Sequence, residues 1–103
     1  MIKKNEFSKW LEDRCNLNAR KLVTDNVSRA AKVEEQLKLQ YGESFSFEDQ
    51  FAADRGQSVL ALFDHKGLND KAAELKPGVL PIGTMQMYPL KSAVRRYFDF
   101  LAD

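Results

Sequence analysis

The stretch YPLKSAVRRYFDFLAD, from Tyr88 to Asp103, decides the fold class. Apolar residues recur in it at steps of three or four, the spacing that places side chains on one face of an α-helix. Two arginines, Arg95 and Arg96, fall outside this apolar stripe. We predict a helix that begins near Tyr88 or Pro89, because proline is favourable in a first helical turn. The stripe consists of Leu90, Ala93, Val94, Tyr97, Phe98 and Leu101.

So strongly patterned a helix at the end of a sequence has two explanations. It either completes a small bundle or closes one module of something longer. A chain of 103 residues can bury an adequate core as one domain. We therefore expect residues 1–103 to form a single helical domain, and the alternative that it is the amino-terminal module of a longer protein stays open.

The first helix is predicted from Glu6 to about Arg14, with Asn5 as its N-cap. Three apolar residues at i, i+3 and i+4 make one stripe along it, which marks the face that packs on the core. They are Phe7, Trp10 and Leu11.

The second and longest helix is predicted from Ala19 to Gln40. Asn18 is the expected cap, and Gly42 follows the helix end. Its buried stripe is expected to hold Val23, Val27, Ala30, Val33 and Leu37. Polar side chains fall largely outside that stripe: Arg20, Lys21, Thr24, Ser28, Lys32 and Lys38.

Two capping signatures predict two short helices in the middle of the chain. The first helix covers Phe47–Ala53, and the second covers Arg55–His65, with His65 favourably placed at the negative helix end. The capping pairs are Ser46 with Asp49, and Asp54 with Gln57.

The segment from 68 to 87 has the weakest pattern. Asn69 is predicted to cap a helical turn over Asp70–Leu75, and the apolar run from 79 to 83 is interrupted by Pro81 and Gly83. These breaks favour an ordered connection over a strand. No stretch alternates with a period of two, so the predicted fold class is all-α: a small orthogonal bundle of four to five helices.

Charge is unevenly distributed along the chain, although the net charge is only +1. Residues 1–41 hold nine Lys/Arg and six Asp/Glu, residues 42–75 hold three and seven, and residues 76–103 hold four and two. A chain that is basic at both ends can fold with one positive face, and phosphate binding depends on the local field.

Catalytic and metal-binding patterns are weak. Cys15 and His65 are the single cysteine and the single histidine, and no spacing brings them together or forms a metal-ligand cluster. We therefore expect a non-enzymatic domain without metal or cofactor. One cysteine also suggests a reducing compartment. No apolar run approaches the roughly 20 residues that cross a bilayer, so a cytoplasmic protein without membrane contact is expected.

Two segments carry a family resemblance. They are FSKWLEDRCNLNARKLVTDNVSRAAKVEEQL (Phe7 to Leu37) and LKSAVRRYFDFL (Leu90 to Leu101). A short aromatic helix, a long capped helix and a terminal basic helix in this order resemble the amino-terminal core-binding domain of tyrosine recombinases and phage integrases. The terminal helix is also similar to one in helical domains attached to some restriction-type nucleases.

The resemblance implies a SAM-like fold that closes around double-stranded DNA with its second and fourth helices facing the groove and backbone, with the catalytic domain outside this chain. We also expect no small-molecule substrate. The candidate phosphate contacts are Arg20, Lys21, Thr24, Ser28, Lys32, Lys91, Arg95 and Arg96.

Two other hypotheses compete with DNA binding. In the first, the chain is a protein-interaction or oligomerisation bundle that docks on a partner or a second copy through Phe100, Tyr97 and the apolar connection around Val79–Ile82. Phe100 is the main predicted contact, because it lies off the apolar line of its helix. In the second and weakest, it is an enzyme that uses Cys15 and His65.

Overall fold

The fold was described from a computed structural model, which covers residues 3–15 and 19–103. Within this part of the chain there are five α-helices, two 3₁₀ turns and no strand. The all-α prediction is confirmed. The helices are α1 (Lys4–Arg14), α2 (Arg20–Tyr41), α3 (Phe47–Asp54), α4 (Gln57–Ala61) and α5 (Met87–Ala102), and the 3₁₀ turns are Asp64–Gly67 and Ala72–Glu74.

The long helices form close to their predicted bounds, but their caps differ. Helix α1 begins two residues early with Lys3 at the N-cap position, so the prediction that Asn5 is the cap is wrong. The N-cap position of α2 is Ala19, which makes no side-chain cap bond. Asn18, the predicted cap, lies outside the described residues. These helices therefore depend on packing of their apolar stripes more than on capping.

Helix α3 follows its capping signature. The Ser46 hydroxyl accepts a hydrogen bond from the backbone N–H of Asp49 at 3.1 Å, which satisfies one of the free donors of the first turn. The Asn69 side chain acts similarly later in the chain, since its Oδ1 accepts from the N–H of Ala72 at 2.9 Å. The predicted cap at Ser46 is confirmed. Asn69 makes the bond expected of a cap, but the 3₁₀ turn covers Ala72–Glu74 with Lys71 at its N-cap position, and not Asp70–Leu75.

The predicted helix over Arg55–His65 is wrong. Helix α4 spans Gln57–Ala61 only, and its N-cap position is Gly56 instead of Asp54. His65 and Lys66 have left-handed backbones with φ of 55° and 58°, a conformation that side-chain-bearing residues rarely adopt. The chain therefore turns sharply where a regular helix was expected.

Helix α5 packs against every other α-helix of the bundle. Asn26 of α2 bonds to Arg96, whereas Lys32 and Gln36 line one cleft with Leu90. Residue numbers thus rise along α2 as they fall along α5, so the two helices are antiparallel. The apolar stripes predicted for both helices face the core, in which Ala30, Val33, Leu37, Ala93, Val94 and Tyr97 are fully buried.

An aromatic cluster joins α1, α3 and α5. The Tyr97 ring meets Phe7 edge-on at 4.9 Å between centroids and lies 5.8 Å from Phe47. Phe100 extends the cluster toward α1. Such ring pairs add about 0.5–1.5 kcal/mol each beyond the area they bury. The cluster therefore fixes the end of α5 on α1 and α3.

Gly56 forms the tight corner between α3 and α4. Its φ is +78°, and a Cβ there would lie 2.5 Å from the Phe98 ring. No larger residue fits without displacing that ring. Gly56 thereby sets how closely α4 approaches α5.

Candidate nucleic-acid-binding surface

The exposed face of α2 carries four of the predicted phosphate contacts. They follow each other at steps of three or four residues, so successive members lie one turn apart on the same side of the helix. All four are exposed, opposite the stripe that faces the core. They are Lys21, Thr24, Ser28 and Lys32. Arg20, the first residue of α2, is also exposed. We call Lys21, Thr24, Ser28 and Lys32 together the α2 face; Arg20 is not part of it.

One carboxylate reduces the positive field of the α2 face. The Oδ2 atom of Asp25 lies 3.4 Å from Lys21 Nζ and 3.9 Å from Arg29 Nη2. Lys32 has no ion-pair partner among the described residues. Surface pairs of this kind are weak and screened by salt, so both partners of Asp25 can still be attracted to a phosphate.

Arg96 lies beside α2 because a buried amide holds it there. Its Nη1 donates to Asn26 Oδ1 at 3.0 Å, and Asn26 Nδ2 donates to the carbonyl of Leu22 at 2.8 Å. Asn26 is only 4% exposed. The amide is neutral, so it orients the guanidinium without cancelling its charge.

Lys91 and Arg95 lie on the other flank of α5. Lys91 Nζ is 3.1 Å from Asp64 Oδ1, and Arg95 lines a cleft with Arg55 and Asp99. The eight predicted contacts therefore do not form one surface. Arg96 is next to α2, whereas Lys91 and Arg95 are next to the segment that follows α3.

Phe100, the predicted protein contact, is half-buried. Its ring lies 5.6 Å from Phe7, 5.9 Å from Trp10 and 5.6 Å from Tyr97. Much of the ring is thus used inside the domain. Apolar side chains with a greater exposed fraction occur at the opposite end of α5, where Met85 is 70% exposed, Leu68 64% and Tyr88 54%.

The sequence analysis did not identify Asn26 or Asp25 as site residues. The position of Asn26 in the sequence does indicate a structural role. Asn26 falls three residues after Val23 and four before Ala30, on the stripe that becomes buried. A polar residue in such a stripe needs a hydrogen-bond partner. The spacing could have indicated a bond to another helix, although not the identity of Arg96.

Two hydrogen bonds of buried side chains join α3 to α2 and to α5. Glu34, 2% exposed, accepts a hydrogen bond from the N–H of Phe47 at 2.9 Å. The Tyr97 hydroxyl donates to Glu48 Oε1. Burial, reinforced by this hydrogen bond, raises the pKa of the Tyr97 hydroxyl well above its usual value of 10. Tyr97 thus keeps its proton at neutral pH and acts as a structural donor.

The two residues of the enzyme hypothesis are Cys15 and His65. Cys15 is a half-exposed free thiol, and His65 is exposed in the turn after α4. No group of three or more His, Cys, Asp or Glu in ranges 3–15 and 19–103 could hold a metal ion. In the same ranges no helix is long and apolar enough to cross a membrane.

Comparisons with protein-family models, curated proteins and solved structures gave no match to this chain.

Proposed function

We propose that this chain is a DNA-binding helical module that holds duplex DNA mainly through phosphate contacts. The observation that supports the proposal best is the α2 face, together with Arg96, which Asn26 holds against α2. Lysines, hydroxyl groups and an arginine are the side chains that most often bind phosphate oxygens. The resemblance to recombinase core-binding domains points to the same helices.

The proposal confines the DNA-binding surface to one side of the bundle. Residues 42–75 hold three basic and seven acidic side chains, which would repel a polyanion. Lys91, already paired with Asp64, and Arg95 lie toward that acidic part. We therefore assign the main contacts to Lys21, Thr24, Ser28, Lys32 and Arg96.

Salt dependence tests the proposal. Fluorescence anisotropy of a labelled duplex should show binding at about 50 mM salt that weakens steeply by about 200 mM, because phosphate contacts release counterions. Lys32→Gln should weaken binding about fivefold at low salt. Lys9→Gln, an equal charge change at an exposed position of α1, should change it much less. Absence of binding at both salt concentrations would overturn the proposal.

Asp25 offers a test in the opposite direction. Asp25→Asn removes the carboxylate that faces Lys21 and Arg29, so the α2 face becomes more positive. We expect duplex binding to tighten about threefold at low salt. Unchanged or weaker binding by a folded variant would place the DNA contact elsewhere.

A second candidate function is protein docking or self-association. The exposed side chains of Leu68, Met85 and Tyr88 favour it, because large exposed apolar groups often mark contacts. If it is correct, light scattering should show an oligomer, and Met85→Lys should dissociate it. A strict monomer, unchanged by this substitution, would exclude self-association through these residues.

A further inference from the structure

A concave surface lies between the middle of α2 and the start of α5. It is a cleft of about 420 Å³, within the range of small-ligand pockets. Residues 78–81 form its third wall. We call it the α2–α5 cleft, and its lining includes Arg29, Lys32, Gln36, Val79, Pro81 and Leu90.

Hydrogen bonds hold the third wall against α2. Gln36 Nε2 donates to the Gly78 carbonyl at 3.4 Å. Gln40 Oε1 accepts from the N–H of Lys76 at 2.8 Å, and its Nε2 donates to the Glu74 carbonyl at 3.3 Å. Two glutamines one turn apart thus fix the connection, so the cleft is formed before any ligand binds.

The cleft combines an apolar interior with a cationic wall. Val79 and Leu80 are 4% and 5% exposed, and Leu90 is half-buried. Arg29 keeps 40% of its side chain exposed, and Lys32 is exposed. No Asp or Glu of ranges 3–15 and 19–103 lines the cleft, although Asp25 Oδ2 lies 3.9 Å from Arg29 Nη2 in a weak surface pair.

We propose that the α2–α5 cleft binds a small amphipathic carboxylate. Its apolar body would pack on Val79, Leu80 and Leu90, and its carboxylate would meet Arg29 and Lys32. Arg29 can supply two parallel N–H donors to a carboxylate, which makes the pair directional. The charge complementarity selects an anion over a neutral molecule of the same shape. This ligand site goes beyond the proposed DNA binding and does not depend on it.

Decanoate is a suitable probe, and decanol is its neutral counterpart. In a ¹⁵N-labelled sample of the full chain, decanoate below its micelle concentration should shift the amide signals of Gly78, Val79, Leu80 and Leu90 saturably. Arg29→Gln and Lys32→Gln should each weaken decanoate binding about fivefold. Lys9→Gln should leave it unchanged, and decanol should bind more weakly than decanoate.

Three results would overturn the assignment. One is the absence of saturable shifts in the cleft. Another is shifts centred on the exposed apolar residues Leu68, Met85 and Tyr88. The third is equal binding of decanol and decanoate with no effect of the Arg29 or Lys32 substitutions. The titration contains no DNA, so its outcome is separate from that of the duplex-binding test.

Discussion

The two flanks of α5 pack against the rest of the bundle in different ways. Toward α2, regular apolar stripes pack together and a neutral amide, Asn26, orients Arg96. Toward α3 and α4, the Phe47 ring packs on Tyr97 and Phe98, and Gly56 forms a tight corner against Phe98. Lys91 on this flank pairs with Asp64 in the turn after α4. Adjacent residues on one helix, Arg95 and Arg96, therefore face different electrostatic surroundings. A basic pair in a sequence is not necessarily a single binding site.

The largest expected effect concerns the flank that faces α4. Gly56→Ala should lower the free energy of unfolding by about 3 kcal/mol or more, because the added Cβ strains a left-handed backbone and collides with the Phe98 ring. Urea unfolding of the purified variant measures this change.

Gly78→Ala is the matched control. Its φ is +84°, but no atom lies within 4 Å of the added Cβ, so only the backbone term of about 1 kcal/mol applies. Equal losses for the two variants would mean that the close approach to Phe98 contributes nothing.

A smaller loss of stability is expected from a change at Tyr97, in the aromatic cluster of α5. Tyr97→Phe removes the hydroxyl that donates to Glu48 while keeping the buried ring. We expect a loss of about 1–2 kcal/mol in the free energy of unfolding. Tyr41→Phe, at a tyrosine that is 53% exposed, should cost much less, and a similar cost at both positions would contradict the structural role of the Tyr97 hydroxyl.

One substitution in the turn after α4 should stabilise the protein. Lys66→Gly relieves a left-handed backbone with φ of 58°, and the gain should be about 0.5–1 kcal/mol after the greater flexibility of glycine in the unfolded chain is subtracted. Lys71→Gly, where φ is −67° and ψ is −45°, should instead destabilise by a similar amount. Thermal unfolding of both variants checks the difference in sign.

The contrast between the flanks also explains what could be predicted from sequence. The stripes of α2 and α5 repeat locally, so their buried faces followed from spacing alone. The turn at His65 and Lys66 could not be predicted, because both residues have positive φ although neither is glycine, the residue that adopts this backbone most readily. A periodic apolar pattern through Leu62 and Phe63 therefore suggested a helix longer than the one that forms.

The candidate site was predictable to the same extent. The shared exposure of Lys21, Thr24, Ser28 and Lys32 follows from helical periodicity. Which flank of α5 meets α2 depends on tertiary packing, and this packing determines that Arg96 bonds to Asn26 of α2. The resemblance to recombinase domains stays a prediction, since no comparison matched the chain.

The measurement that tests the central claim most directly compares two neighbouring arginines in duplex binding. At about 50 mM salt, Arg96→Gln should weaken binding about fivefold, whereas Arg95→Gln should weaken it by less than about twofold, because Arg96 contacts α2 through Asn26 and Arg95 lines a cleft with Arg55 and Asp99. Thermal unfolding of both variants verifies that they are folded. Equal losses for the two, or a greater loss for Arg95→Gln, would contradict the assignment of DNA binding to the α2 side of the bundle.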